Sequence, residues 1–250
     1  MSASAPVRVG IGGWVFPPWR GTFYPPKLPQ ARELAHASRQ VTAIEINGTF
    51  YGAQKPASFR RWHDDTPEDF VFSVKGPRYA THRNDLAAAG PSIDRFFGSG
   101  VLELRDKLGP ILWQFPPFAK FDEGGFAAFF ELLPRALDNR KIRHVVEVRH
   151  DSFRAPAFTE LLRREGIAVA QVDDDKYPAI AEDTADFCYL RLRRCREAEA
   201  TGYAAAEIEG WAEHCRGHAK RERDVFVYFI NGAKVRAPAA AQALLQRLGG

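Results

Sequence analysis

The six residues His144-Val-Val-Glu-Val-Arg149 decide how the rest of this chain is read. The run is short and largely apolar, and it ends on a carboxylate and a guanidinium two residues apart. Side chains alternate across a strand, so Glu147 and Arg149 share one face and Val146 and Val148 the other. An apolar run of this length fits a parallel strand covered on both sides. Ala155–Glu165 follows with helical spacing, and Gly166 stands where a left-handed cap would end it.

Seven further runs of the same kind lie on either side of it: Val7–Gly12, Ala43–Asn47, Phe70–Lys75, Pro110–Gln114, Ile167–Asp173, Phe187–Leu192 and Val225–Asn231. Between them the spacing predicts helices over Leu28–Arg39, Pro56–His63, Pro91–Leu108, Phe126–Leu137, Ala204–Arg221 and Pro238–Leu248. Only Asp174–Asp186 is too short and broken for a full helix. Alternation of strand and helix implies a parallel sheet with right-handed crossovers. Eight such units in 250 residues favour closure into a TIM-type (β/α)₈ barrel, with a degenerate helix after strand six and one domain over residues 1–250. A dinucleotide-binding fold fails locally: Gly10-Ile-Gly-Gly13 lacks the G-x-G-x-x-G spacing, and Trp14 occupies the turn.

Hydrophobic residues at 45% and charged residues at 26% describe a folded globular protein rather than a disordered one. Met1–Pro6 is small and polar, without a secretory pattern, and Val225–Ile230, the longest apolar stretch, is far too short to span a bilayer. A cytoplasmic protein with no membrane partner is expected. Cys188, Cys195 and Cys215 show no CxxC spacing and suggest neither a zinc site nor a disulfide framework. The net charge of +4 permits anionic partners without demanding them. The basic stretches Arg191–Arg196 and Arg216–Arg223 leave nucleic-acid binding open, although a solvated helix face explains the second more simply.

The strand ends carry the chemistry. By alternation, Glu45 pairs with Asn47, Ser73 with Lys75, Glu147 with Arg149, Gln171 with Asp173 and Arg191 with Arg193, while Gln114 and Asn231 end their strands. The residues between them, Val172 and Ile230 included, are apolar and suit packing against outer helices. The polar set is therefore expected inside the barrel at the C-terminal strand ends, where barrel enzymes place their active sites. Burying so many unpaired ions would cost several kcal/mol each, on the order of a whole domain's stability. Function is one reason to keep them, and a structural ion-pair network is the other.

Glu147 is the first candidate for acid or base work, with Glu45 as its partner and Lys75 as an electrostatic clamp or nucleophile. Asn47, Gln114, Arg149, Asp173, Arg191, Arg193, Asn231, Trp14 and His82 are candidates for substrate binding. No cofactor is predicted. Mg²⁺ or Mn²⁺ on Glu45, Glu147, Asp173 and His150 is chemically allowed, but the neighbouring cations argue against it. A small anionic ligand is the expected partner, held between the loops that begin Arg193-Arg194 and Asn231-Gly232.

Several blocks resemble a known family: Gly12-Gly-Trp14, Trp19-Arg-Gly-Thr-Phe-Tyr-Pro25, Glu45-Ile-Asn-Gly-Thr-Phe-Tyr51, Phe72-Ser-Val-Lys-Gly-Pro77, Thr81-His-Arg83, Leu112-Trp-Gln-Phe-Pro116, Glu147-Val-Arg-His150 and Tyr228-Phe-Ile-Asn231. Together they are similar to the signature of domain-of-unknown-function family 72, from Val7 to about Leu248. The resemblance implies a TIM-type barrel and a pocket holding Glu45, Asn47, Lys75, Gln114, Glu147, Arg149 and Asn231. It implies no reaction. Two departures stand out: the first strand reads Gly10-Ile-Gly-Gly where that family usually has a hydroxyl residue, and Asn231-Gly-Ala-Lys234 replaces its Asn-Asn-Asp.

Overall fold

Eight parallel strands close on themselves in a computed structural model that describes residues 4–249. Residues 1–3 and 250, counted within the expected domain, lie outside the described residues. The strands are β1 (Val7–Gly12), β2 (Ala43–Ile46), β3 (Val71–Lys75), β4 (Leu108–Gln114), β5 (His144–Glu147), β6 (Ala168–Asp173), β7 (Phe187–Leu192) and β8 (Asp224–Phe229). Each pairs with its sequence neighbours, and β8 returns to β1 through Val7↔Val225 to Ile11↔Phe229. This is the α/β TIM-type barrel that the alternation of elements implies.

Helices cover the outside: α1 (Glu33–Ala37), α2 (Pro56–Asp64), α3 (Gly90–Gly98), α4 (Glu123–Glu131), α5 (Pro156–Glu165), α6 (Ala205–Ala219) and α7 (Ala237–Leu248). Their ends follow local chemistry. Asp122 caps α4 by accepting from the Gly125 amide at 2.8 Å, and α5 starts on a proline and stops at Gly166, whose φ is 63°. Between Asp174 and Asp186 there is no helix, as the broken pattern there suggests.

Three expectations need correction. Leu28–Arg39 is a 3-10 turn at Gln30–Arg32 and a five-residue helix, because Pro29 delays its start. Pro91–Leu108 is interrupted: α3 ends at Gly98, and 3-10 turns follow over Val101–Lys107. Gly100 makes the break with φ 98°, and a Cβ there would lie 2.7 Å from Pro56 Cα. Phe126–Leu137 stops early as well, since Ala136–Leu137 pairs with Arg140–Lys141 across Asp138-Asn139, both at positive φ.

Two apolar layers result. Between strands and helices lie residues such as Val146, Val148, Leu190, Leu192 and Phe229, together with the packed rings of Phe115, Phe126, Phe129, Phe153 and Phe158. Full burial of one such ring contributes roughly 2–3 kcal/mol. Inside the barrel, Ala43, Leu112, Val145, Ala168, Phe187 and Phe226 fill the lower part. Above this plug the lining turns polar.

Candidate functional site

Arg191 stands at the centre of the barrel mouth, carried there by β7. Its register neighbours are Val172 on β6 and Tyr228 on β8, so all three point inward. Its Nε and Nη2 donate to the two oxygens of Glu45, at 3.0 and 2.9 Å, and its Nη1 donates to Glu147 Oε2. Tyr189 Oη adds a bond to Glu45 Oε2 at 2.8 Å. Glu147 Oε1 accepts from Gln114 Nε2 and from Arg149 Nε, both at 2.8 Å, and Arg193 Nη1 lies 3.8 Å away. Lys75 Nζ completes the chain by donating to Gln114 Oε1 at 2.7 Å, and it sits 3.7 Å above the centre of the Phe50 ring.

The two carboxylates are wholly buried, beneath the cations rather than beside the solvent. The cavity above them holds about 420 Å³ and is lined by Lys75, Arg149, Arg191, Arg193 and Lys234, with Asn47, Gln114, Tyr51, Asn231, Ile230 and Gly12. Among the described residues, five cations reach its wall and no carboxylate does. With Glu45 and Glu147 below, and Asp174 3.2 Å from Arg193, positive charge still leads by two. Tyr177 offers a ring to Arg149 and Arg193 at 4.8 and 5.3 Å, which holds both guanidinium groups over the mouth.

Burial alone would raise the Glu147 pKa, but Arg191, Arg149 and Arg193 outweigh it and bring it down to about 2. The opposite balance holds for Lys75: burial and the nearby Arg191 lower it to about 8, against the pull of Glu45 and Glu147. Arg191 is driven up by its two glutamates despite its burial.

Of the sequence candidates, Glu45, Lys75, Gln114, Glu147, Arg149, Arg191, Arg193, Asn47 and Asn231 come together. Asn47 Nδ2 donates to the Glu45 carbonyl at 3.2 Å. Asn231 lies past the end of β8; with its amide turned to satisfy both ends, its oxygen accepts from Arg193 Nη2 at 2.8 Å and its nitrogen donates to the Ile230 carbonyl. Glu147 and Glu45 do not hold the acid/base position expected of them, because every close donor to them is a cation, an amide or a phenol and neither meets the cavity. They position Arg191, Arg149 and Arg193.

Three candidates lie elsewhere. Asp173 is in register with Leu192 and so faces outward, where it accepts from Tyr203 Oη at 2.9 Å and pairs with Arg194 at 2.6 Å. Gln171 shares that outward face and meets His214. The expected phase of β6 was therefore inverted, and Val172 is the inward residue, as Ile230 is above β8. Trp14 packs edge-on against Trp62 at 5.1 Å and Phe72, in the outer layer rather than on the cavity wall. His82 stands behind Phe50 at 5.3 Å, its pKa lowered by burial and by Lys75. The Mg²⁺ or Mn²⁺ set does not assemble: Asp173 points away, His150 Nδ1 is engaged by Ser152 Oγ at 2.9 Å, and Arg191 occupies both glutamates.

The loops after β7 and β8 also differ from expectation. Cys195 and Gly232 pair as an isolated bridge, and a Cβ on Gly232 would lie 2.4 Å from the Cys195 carbonyl oxygen. Arg194 turns away to Asp173 and Asp175, so of the expected fork only Arg193 and Asn231 face the cavity. Lys234 and Tyr177 are site residues that alternation could not reveal, since both lie on loops. For Lys234 the signal was the departure Asn231-Gly-Ala-Lys234 itself.

A parallel (β/α)₈ barrel with a cation-lined pocket at the C-terminal ends of its strands is the class of protein these features define. The chain matches the family model described as "Protein of unknown function DUF72" over residues 8–250 and belongs to that family. The UPF0759 protein YunF of Bacillus subtilis (strain 168) is 23% identical over 257 residues, covering 91% of this chain and 89% of YunF. A DUF72 family protein of Thermotoga maritima superposes with TM-score 0.76 at 27% identity, over 96% of each chain. Another from Enterococcus faecalis V583 gives 0.77 at 17% identity over the whole of both chains, a likeness of fold. Among the described residues no helix is long and apolar enough to cross a membrane.

Proposed function

We propose that this barrel is an enzyme that binds a small anionic substrate, phosphorylated or sugar-acid-like, and moves a proton with Lys75. The observation that carries the reading is the cavity wall: among the described residues, five cationic side chains reach it and no carboxylate does. Fixed guanidinium donors suit an oxyanion, which Arg binds in bidentate fashion, and here Glu45 and Glu147 hold the donors in place before any ligand arrives. Lys75 has the pKa, about 8, that lets an amine both keep and give up a proton near neutrality. A cavity of about 420 Å³ accommodates one small molecule, which favours such a substrate over a nucleic-acid strand.

The test begins with sulfate, whose charge is constant across the pH range of interest. Calorimetry from pH 6.5 to 9.5 is expected to show affinity falling as pH rises through about 8, where Lys75 loses its proton. Lys75→Met is expected to bind sulfate about tenfold more weakly at pH 7 and to lose that pH step. Phosphorylated and carboxylated sugars are then followed by NMR for turnover, which Lys75→Met should abolish. A pH-independent sulfate affinity, the same in both proteins, contradicts the reading. Tight, steeply salt-dependent binding of a single-stranded oligonucleotide in place of sulfate would turn it towards nucleic acid.

A further inference from the structure

The outward face of β7 carries a second cluster, on the far side of the barrel wall from Arg191. Cys188 points there, and α6 lays His214 and His218 over it, one helical turn apart and on the same face. Ligating atoms of these three residues lie within 4.8 Å of one another. The two histidines meet through their Nε2 atoms at 3.3 Å, and Gln171 Oε1 on β6 lies 2.9 Å from His214 Nε2. A cavity of about 450 Å³ opens beside them, lined by Gln171, Asp183, His214 and His218 with Arg163 and Arg221.

We infer that Cys188 Sγ, His214 Nε2 and His218 Nε2 form a zinc site, whose fourth position faces Gln171 Oε1 and the cavity. Two observations carry this independently. The first is geometric. Zinc–nitrogen bonds of about 2.0–2.1 Å at a tetrahedral angle place two imidazole nitrogens about 3.3–3.4 Å apart. That is the separation of the two Nε2 atoms. The second concerns hydrogen bonding. A ring nitrogen has one hydrogen or one lone pair, so His214 Nε2 cannot serve both Gln171 Oε1 and His218 Nε2. A cation between the rings removes the conflict when Gln171 Oε1 turns to it as well, because all three groups then present lone pairs to the metal.

The surroundings fit this assignment. Cys188 is a buried free thiol, so its sulfur enters by exchange: zinc bonds to Sγ as the thiol proton leaves to solvent through the cavity. Asp183 Oδ1 lies 3.5 Å from His218 Nδ1 and would accept its Nδ1–H once zinc takes Nε2, with Arg221, which now donates to that nitrogen, turned to Asp183 alone. The nearby cations Arg221, 3.1 Å from the same Nδ1, and Arg223 are held towards Asp183 at 3.5 and 2.9 Å. A thiolate with two histidines matches a borderline-soft ion such as zinc rather than magnesium or calcium.

Untagged protein, stripped with a chelator, is titrated with zinc against a chromophoric competitor, and with cobalt as a spectroscopic substitute. The expected result is one zinc per chain and a cobalt spectrum with a thiolate charge-transfer band and intense tetrahedral d–d bands. Cys188→Ser should remove the charge-transfer band, and His214→Gln should weaken zinc binding about 100-fold, with circular dichroism confirming that both remain folded. Gln171→Leu, which leaves all three ligands, should cost about tenfold. Absence of the thiolate band at stoichiometric cobalt overturns the site. So does zinc affinity that is unchanged in both Cys188→Ser and His214→Gln.

Discussion

The sixth and seventh strands lie side by side in one barrel, yet they spend their polar residues on opposite faces. β7 sends Tyr189 and Arg191 inward to bind Glu45 and Glu147. β6 sends Gln171 and Asp173 outward to His214, Tyr203 and Arg194, and offers the interior only Ala168, Ala170 and Val172. The difference is one of space. Ala170 is in register with Tyr189 and Val172 with Arg191, so small residues on β6 make room for two large inward side chains of β7. One strand builds the site by entering it, and its neighbour by staying out of the way.

The largest effect is expected from Arg191→Met. It leaves two buried carboxylates without their central cation, and unfolding by urea is expected to show a loss of about 3–5 kcal/mol. A loss under about 1 kcal/mol would mean that the mouth network is incidental to the fold.

Glu147→Gln comes next, at about 2–3 kcal/mol near pH 7, because Arg191 and Arg149 lose a counter-ion while Gln114 keeps a partner. The pH dependence supplies the sign. The Glu147 pKa is lower in the folded protein than its ordinary 4.5, so its contribution is fully present above pH 4.5 and fades as pH falls towards about 2. Denaturation curves across that window should be flatter for Glu147→Gln than for the parent. Parallel curves would place the acid sensitivity in other carboxylates.

Asp173→Asn should be the mildest change, about 1 kcal/mol, since Tyr203 keeps an acceptor and only the ion pair to Arg194 weakens. Sulfate affinity should stay within about twofold of the parent, because Asp173 lies outside the barrel wall. A tenfold change would return β6 to the site.

These two strands also explain what the sequence could and could not tell. The barrel was legible because eight apolar runs alternate with helical spacing, and no other closed arrangement uses that pattern at this length. Inward-facing Glu45, Lys75, Gln114, Glu147 and Arg191 were legible because each alternates with apolar neighbours that suit the outer layer, Ile, Val or Leu in most strands and Trp113 and Phe115 beside Gln114. The phase of β6 was not. Ala168-Val-Ala-Gln-Val-Asp173 has apolar residues on both faces, and an outward polar residue that meets a helix looks the same in sequence as an inward one. Loop residues such as Lys234 and Tyr177 carry no alternation to read. The His214-x₃-His218 spacing was visible, but its pairing with Cys188 depends on how α6 packs over β7.

Fixed cations at the mouth of this barrel are expected to bind an anion. Thermal melting with increasing sulfate, at constant ionic strength balanced by chloride, tests this directly. Each protein is compared with its own melting point in chloride, so that differences in intrinsic stability cancel. The parent is expected to rise steadily and in proportion to the logarithm of sulfate once the site fills. Arg149→Ala/Arg193→Ala, which removes two of the five lining cations, should show almost no rise. An equal rise in the parent and the double variant would contradict the account, because the anion would then be held somewhere other than this pocket.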